Sequence, residues 1–137
     1  MASSPDSATT STSAAELGRF LVIIPAFNEE IPLPAVLATL RESVPEADVV
    51  VIDDGSKDRT AQVAAAGGAQ VLQLPYNLGI GGALRTGFRY AVRHGYTRAI
   101  QFDADGQHDV GQIRPLLAAL EGGADLRAVQ EMLGHAN

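Results

Sequence analysis

There is no cysteine anywhere in the 137-residue chain, which removes disulfides, thiolate metal sites and thiol nucleophiles at once. That absence is compatible with a reducing compartment. Basic residues are scarce as well: ten Lys and Arg stand against sixteen Asp and Glu, for a formal charge of -6, so the chain lacks the electrostatic footprint of a nucleic-acid binder. No basic start leads into an apolar core, and no apolar run reaches the roughly 18 residues a membrane span needs, so neither secretion nor membrane spanning is expected. Internal repeats are missing, and so is the length for two full domains. What is present is a hydrophobic fraction of 46%, enough for the core of one α/β domain of modest size.

Residues 1–16 are small and polar, with too little apolar area to offset the entropy of ordering. A disordered tail over 1–18 is therefore expected, with order beginning near Arg19. Beyond it, four apolar runs rich in β-branched and aromatic residues predict strands at 20–25, 49–52, 69–74 and 98–102. Amphipathic segments between and after them predict helices at 32–42, 58–66, 81–94 and 110–120. Pro32 and Pro34 fit only an opening turn, and Val36, Leu37 and Leu40 mark the inner face of the first helix. His108 or Asp109 can begin the last, whose inner stripe is Ile113, Leu116, Leu117 and Leu120. Strand and helix in alternation predict an α/β fold: a mostly parallel sheet with helices on both faces.

Each chemistry-bearing cluster follows a strand. Pro25, Ala26, Phe27, Asn28, Glu29 and Glu30 come after the first, Asp53, Asp54, Gly55 and Ser56 after the second, and Pro75, Tyr76, Asn77, Leu78 and Gly79 after the third. Asp103, Ala104, Asp105, Gly106, Gln107 and His108 follow the fourth. Asp, Asn and Gly are also turn formers, but that does not account for helix-to-strand connections that stay bland. In an open parallel sheet, ligands bind beyond the carboxyl ends of the strands.

Asp103 and Asp105 stand two residues apart, and an extended backbone leans such side chains to one side. Both carboxylates can then face one hard cation, Mg²⁺ or Mn²⁺, with Gln107 or His108 as auxiliary ligands. A cation so held can bind a pyrophosphate and stabilise it as a leaving group, which makes Asp103 and Asp105 the candidate catalytic pair. The strand before Asp103, and the missing glutamate at the twelfth loop position, exclude a helix-loop-helix calcium site. Asp53 reads as a contact for a ribose or base edge; Asp54, pointing the other way if the strand continues, reads as a cap for the turn at 55–58. Asn28 and Glu29 can hydrogen-bond a nucleobase or ribose, while Glu29 and Glu30 can equally favour a helix N-terminus. In NLGIGGALRTG, residues 77–87, close approach of backbone to phosphate explains Gly79, Gly81 and Gly82. This is neither a Walker loop nor a dinucleotide fingerprint. Arg85 either reaches the pyrophosphate or lies on the exposed helix face.

Together VIIPAFNEE, VVVIDDGSKD, NLGIGGALRTG and QFDADGQHD resemble the N-terminal half of a family 2 glycosyltransferase of the GT-A fold, of the dolichyl-phosphate mannose synthase-like and polyprenyl-phosphate glycosyltransferase kind. The likeness covers 19–126 in order, leaving 127–137 as an unrelated tail. It implies a truncated, Rossmann-like nucleotide-sugar-binding half-domain, in which Pro25, Ala26, Asn28, Glu29 and Asp53 border the nucleoside of a UDP- or GDP-sugar. Asp103 and Asp105 would hold Mg²⁺ or Mn²⁺ on the diphosphate, joined by Gln107. The mannose synthases often carry a basic residue where Ile80 stands. The implied reaction inverts the anomeric carbon, with a lipid phosphate as acceptor in full-length relatives, and implies a cytoplasmic chain, peripheral at the cytoplasmic membrane face. Sugar transfer is one expectation; the alternative is a non-catalytic nucleotide-binding or protein-interaction remnant. A truncated sheet leaves an exposed edge, which predicts homo-oligomers through strand pairing. Residues 126–137, LRAVQEMLGHAN, resemble the helix and LGH motif near the end of tyrosine recombinases, without the tyrosine that should follow.

Overall fold

The computed structural model describes residues 18–121. In chain order these form strand β1 (Phe20–Ala26), helix α1 (Leu33–Ser43), β2 (Ala47–Asp53), α2 (Thr60–Ala66), β3 (Gln70–Gln73), α3 (Ile80–Arg93), β4 (Ala99–Gln101), a single 3-10 turn (Val110–Gln112) and α4 (Ile113–Glu121). The expected tail up to residue 17 and the segment 127–137 lie outside the described residues.

Local chemistry sets where each helix starts. Pro32 stands just before α1 in helical backbone with φ -79°, so its missing N–H costs nothing there. The second helix begins at Thr60, two residues later than its pattern predicts. Asp58 holds it there, because its Oδ1 accepts from the Thr60 N–H at 2.9 Å. The last begins as a 3-10 turn, with the Asp109 carboxylate accepting from the Gly111 N–H. Pro115, two residues into α4, has no N–H with which to close an α-helical bond to Gly111.

The sheet is parallel throughout, in the order β3-β2-β1-β4. Odd and even residues of β1 serve opposite faces. Phe20, Val22 and Ile24 pack with Leu33, Val36, Leu37 and Leu40 of α1, Ala64 of α2 and Ile113, Leu116, Leu117 and Leu120 of α4. Leu21 and Ile23, with Val50 and Ile52 of β2, pack against Ala83, Leu84 and Ala91 of α3. A strand buried on both sides is the reason for the unbroken apolar run in β1. β4 is one margin of the described sheet, yet Ala99, Ile100 and Gln101 are buried, so the bare edge expected there is not open to solvent. The other margin, β3, is four residues long and ends in exposed Gln70 and Gln73. Short, polar margins of this kind resist pairing with other chains. Among the described residues no helix is long and apolar enough to cross a membrane.

Candidate functional site

Connectivity positions the site. From β1 the chain steps outward to β2 and β3, then returns to place β4 on the other flank of β1. Adjacent crossovers therefore leave in opposite directions between β1 and β4, and such a switch point opens a crevice at the carboxyl ends of the strands. A cleft of about 330 Å³ lies there, lined by Pro25, Ala26, Phe27 and Glu29 after β1, Asp54 after β2, Asn77, Gly79 and Ile80 at the start of α3, and Asp103, Ala104 and Asp105 after β4.

Asp103 and Asp105 reach this cleft by a route other than the extended backbone expected after the fourth strand. β4 stops at Gln101, and Ala104 and Asp105 form a turn that continues through Gly106 at φ 81°. The two carboxylates share the cleft because the chain bends around Ala104, which is buried in the core. The Asp103 N–H donates to Nδ1 of His108 at 3.1 Å, which puts the proton of a neutral ring on Nε2. That buried Nε2 lies 3.2 Å from Asp103 Oδ2 but is not aligned for a hydrogen bond. His108 also meets the Phe102 ring edge-on. With both nitrogens turned to Asp103, the imidazole braces that residue and is a poor candidate for the auxiliary ligand considered from sequence. Gln107 is exposed and outside the cleft lining; its N–H donates to Asp105 Oδ1 at 3.0 Å.

Electrostatically the cleft disfavours its own negative charges. Burial pushes the Asp103 carboxyl above the usual carboxylate range; His108 offsets this and Asp105 adds to it. The Glu29 carboxyl is raised by burial, then by Asp105, Asp58 and Asp103. Among the described residues no group of three or more His, Cys, Asp and Glu is arranged to hold a metal ion. Two carboxylates on one cleft nevertheless fit a hard cation such as Mg²⁺ or Mn²⁺ that takes most of its ligands from water, and do not fit an all-protein cage.

The first two strand-end loops are zipped together. Asn28 N–H donates to Ser56 Oγ at 2.8 Å, Glu29 N–H to Thr60 Oγ1 at 2.8 Å and Glu30 N–H to Asp58 Oδ2 at 3.3 Å. In return, Lys57 N–H donates to Asn28 Oδ1 at 2.9 Å and Arg59 N–H to Glu30 Oε1 at 2.9 Å. Asn28 takes a left-handed backbone, φ 54°, which asparagine tolerates better than most residues. Its amide oxygen is thus tied to the neighbouring loop, and Glu29 is the member of the pair that lines the cleft. Ser56, placed in the second strand-end cluster from sequence but given no role, and Thr60, which sequence reasoning passed over, anchor this zipper; a Thr just past a strand-end carboxylate pair was the available signal.

The two aspartates after β2 divide their work differently from the expectation. Asp53 is buried and caps the turn, its Oδ1 accepting from the Ser56 N–H at 3.0 Å. Asp54 swings across to the glycine-rich segment, where its carboxylate accepts from the N–H groups of Leu78 (2.7 Å) and Gly79 (3.0 Å). The reason is that β2 ends at Asp53, so strand alternation no longer governs its neighbour. Asp54 lines the cleft and Asp53 does not.

Conformation accounts for Gly79 and packing for Gly82, whereas a β-carbon on Gly81 would meet nothing nearer than Arg85 Nη1 at 3.6 Å. Gly79 sits at φ 89° as the residue that starts α3. A β-carbon on Gly82 would come within 2.7 Å of Leu78, and one on Gly87 would collide with Ile23 of β1. Arg85 is exposed on the outward face of α3, beside Phe88, Arg89, Val92 and Arg93, and does not line the cleft.

A second cavity, about 370 Å³, lies at the opposite ends of the strands, and its one carboxylate, Asp48, is already matched. Asp48 accepts from Arg19 at 2.8 Å and from the Tyr96 hydroxyl at 2.6 Å. Burial, then this bond to Asp48, pushes the Tyr96 phenol well above its ordinary value.

Comparison with known proteins gives the family. Residues 21–130 match the family model described as glycosyl transferase family 2, and so run into the 127–137 segment expected to be unrelated. The chain is 42% identical over 107 residues to an undecaprenyl-phosphate mannosyltransferase of Micrococcus luteus, covering 74% of this chain and 44% of that protein. It is 35% identical over 114 residues to a polyprenol monophosphomannose synthase of Mycolicibacterium smegmatis, covering 79% and 43%. The fold is similar to that of glucosyl-3-phosphoglycerate synthase from Mycobacterium tuberculosis in complex with Mn²⁺ and UDP-glucose, with a TM-score of 0.62, 29% identity and coverage of 81% of this chain and 42% of that one. The chain thus spans less than half the length of these relatives.

Proposed function

Because the chain belongs to glycosyl transferase family 2, whose model covers residues 21–130, we propose that the cleft at the β1/β4 switch point binds a nucleoside-diphosphate sugar together with Mg²⁺ or Mn²⁺. The observation that carries this reading is the convergence of Asp103 and Asp105 on a cleft whose opposite lip is Pro25, Ala26 and Glu29. Asp103 and Asp105 would hold the ion. When bound, such an ion neutralises a diphosphate and makes it a better leaving group.

The chain's own residues do the positioning. Pro25, Ala26 and Glu29 form the wall against which a nucleoside would lie, and the zipper through Asn28, Ser56 and Thr60 fixes that wall before any ligand arrives. Preorganisation of this kind lowers the cost of ordering on binding. Asp54 already occupies the N–H groups of Leu78 and Gly79, so a diphosphate is directed toward Asp103 and Asp105 and away from the first turn of α3. His108 anchors the Asp103 backbone beside the cleft.

For the transfer itself we propose an inverting displacement in which an acceptor oxygen attacks the anomeric carbon as the nucleoside diphosphate departs. A lipid phosphate suits as acceptor: one relative of this chain is named for undecaprenyl phosphate and another for polyprenol monophosphomannose, and a phosphate is ionised at neutral pH, so it needs placement more than a general base. A thermal-shift screen of UDP-, GDP- and dTDP-sugars with and without Mn²⁺ tests the donor reading. A rise in melting temperature that requires both nucleotide and metal is expected; no shift with any of the three would refute it.

A further inference from the structure

Charge is sharply segregated along this acidic chain. From residue 59 to 102 there is no Asp or Glu, while Arg59, Arg85, Arg89, Arg93 and Arg98 all fall within that stretch. Three of these arginines belong to α3, which has no acidic residue. Spaced four apart, they form one line along the helix, with Phe88 and Val92 alongside at offsets of three and seven from Arg85. The face so formed lies opposite Ala83, Leu84, Gly87 and Ala91, which bury α3 against the sheet. Val92 is 72% exposed, Phe88 is half-buried, and these residues line an open groove of about 550 Å³. Arg85, Arg89 and Arg93 have no ion-pair or hydrogen-bond partner among the described residues.

We propose that the outward face of α3 docks on an anionic phospholipid bilayer. A helix that alternates cations with apolar side chains lies in a lipid interface, its arginines among the headgroup phosphates and its apolar residues between them. Outside the acid-free stretch 59–102 the chain is net acidic, which favours approach to such a surface through this patch. Placement supports the same partner. α3 starts at the cleft, where Gly79 and Ile80 are lining residues, so a membrane along its outer face lies beside the cleft mouth. Leu78 and Ile80, also exposed, extend the apolar edge to that mouth. The proposal deepens the lipid-phosphate reading by naming the surface that meets the membrane. Because its test uses no nucleotide, either can fail without the other.

The test is co-sedimentation of the full 137-residue chain with phosphatidylglycerol vesicles and with phosphatidylcholine vesicles. Binding to the former alone is expected, weakening as NaCl rises from about 0.1 to about 0.5 M through charge screening. Arg89→Gln with Arg93→Gln should lower partitioning about 25-fold, near fivefold for each charge. Arg89→Lys with Arg93→Lys should keep it, and Val92→Asp should lose it. These positions are exposed, and melting curves identify any variant that does not fold; the salt titration of the native chain needs no variant. Equal binding to both vesicles, no binding to either, salt-insensitive binding, or Gln variants that bind as the native chain does would each overturn the proposal. So would a native dimer, seen by sedimentation without lipid, that Val92→Asp separates, because the face would then belong to a second copy.

Discussion

Gly87 lies where α3 packs on β1, and a β-carbon there would run into the Ile23 side chain. Forcing an extra methyl into a packed contact costs about 1–3 kcal/mol. Gly87→Ala should therefore lower the urea midpoint, while Gly81→Ala, whose new carbon would meet nothing nearer than Arg85 Nη1 at 3.6 Å, should raise it, with a stability gain of up to about 1 kcal/mol through helix propensity. Equal midpoints for the two variants would remove the packing explanation. Asp54 supports a second prediction: it is buried and accepts from two backbone N–H groups, so Asp54→Ala strands both donors. At about 1–3 kcal/mol for each unsatisfied group, a loss of several kcal/mol is expected in denaturant unfolding, with Asn recovering part of it. A loss below about 1 kcal/mol would mean that water replaces the carboxylate. From sequence, residue type was readable and residue role much less so. The Asp-Asp pair after β2 announces a strand end, but which carboxylate turns inward depends on where β2 stops, and periodicity fixes that only to within a residue or two.

Elements were more legible than their ends. All four strands and all four helices fall where periodicity puts them, because buried strands and one-sided helices leave long, redundant signals. Boundaries moved where a single polar contact decides: Asp58 delays α2, and Asp109 with Pro115 converts the first turn of the last helix to 3-10. The turn at Ala104 was hidden for the same reason. Three-residue β4 is too short to show its own end, so Asp103 and Asp105 read as extended backbone continuing past it. Between elements, the Arg19–Asp48–Tyr96 network joins the starts of β1 and β2 to the loop before β4. The Tyr96 proton is held more tightly in the folded state than in the unfolded one, so its contribution is complete below the ordinary tyrosine value of about 10 and is lost as pH rises through the higher folded value. Tyr96→Phe should be less stable than the native chain at pH 7 by about 1–2 kcal/mol, and the gap should close as pH climbs above 10. A gap that stays constant to high pH would show that the hydroxyl does not titrate with unfolding.

At the scale of the molecule, one topological fact organises the rest. Returning from β3 to pair β4 with β1 creates the crevice, and all four strand-end clusters that stand out in the sequence converge on that end of the sheet. Alternation of strands and helices made the parallel sheet foreseeable. Strand order was not, since it depends on long-range packing between α3 and both central strands, which no local pattern encodes. The loop zipper escaped for a similar reason: its bonds join residues about 30 apart, as between Lys57 and Asn28. Charge segregation, by contrast, is plain in the sequence once α3 is known to turn one face outward. The most direct test of the donor site is titration calorimetry of UDP and GDP into the native chain, with and without Mn²⁺, and into Asp103→Asn with Asp105→Asn. Binding of one nucleotide that needs Mn²⁺ and disappears in the double variant, whose melting temperature stays near the native one, is the predicted result. Binding that is equally strong without metal, or unchanged when both carboxylates are gone, would contradict it.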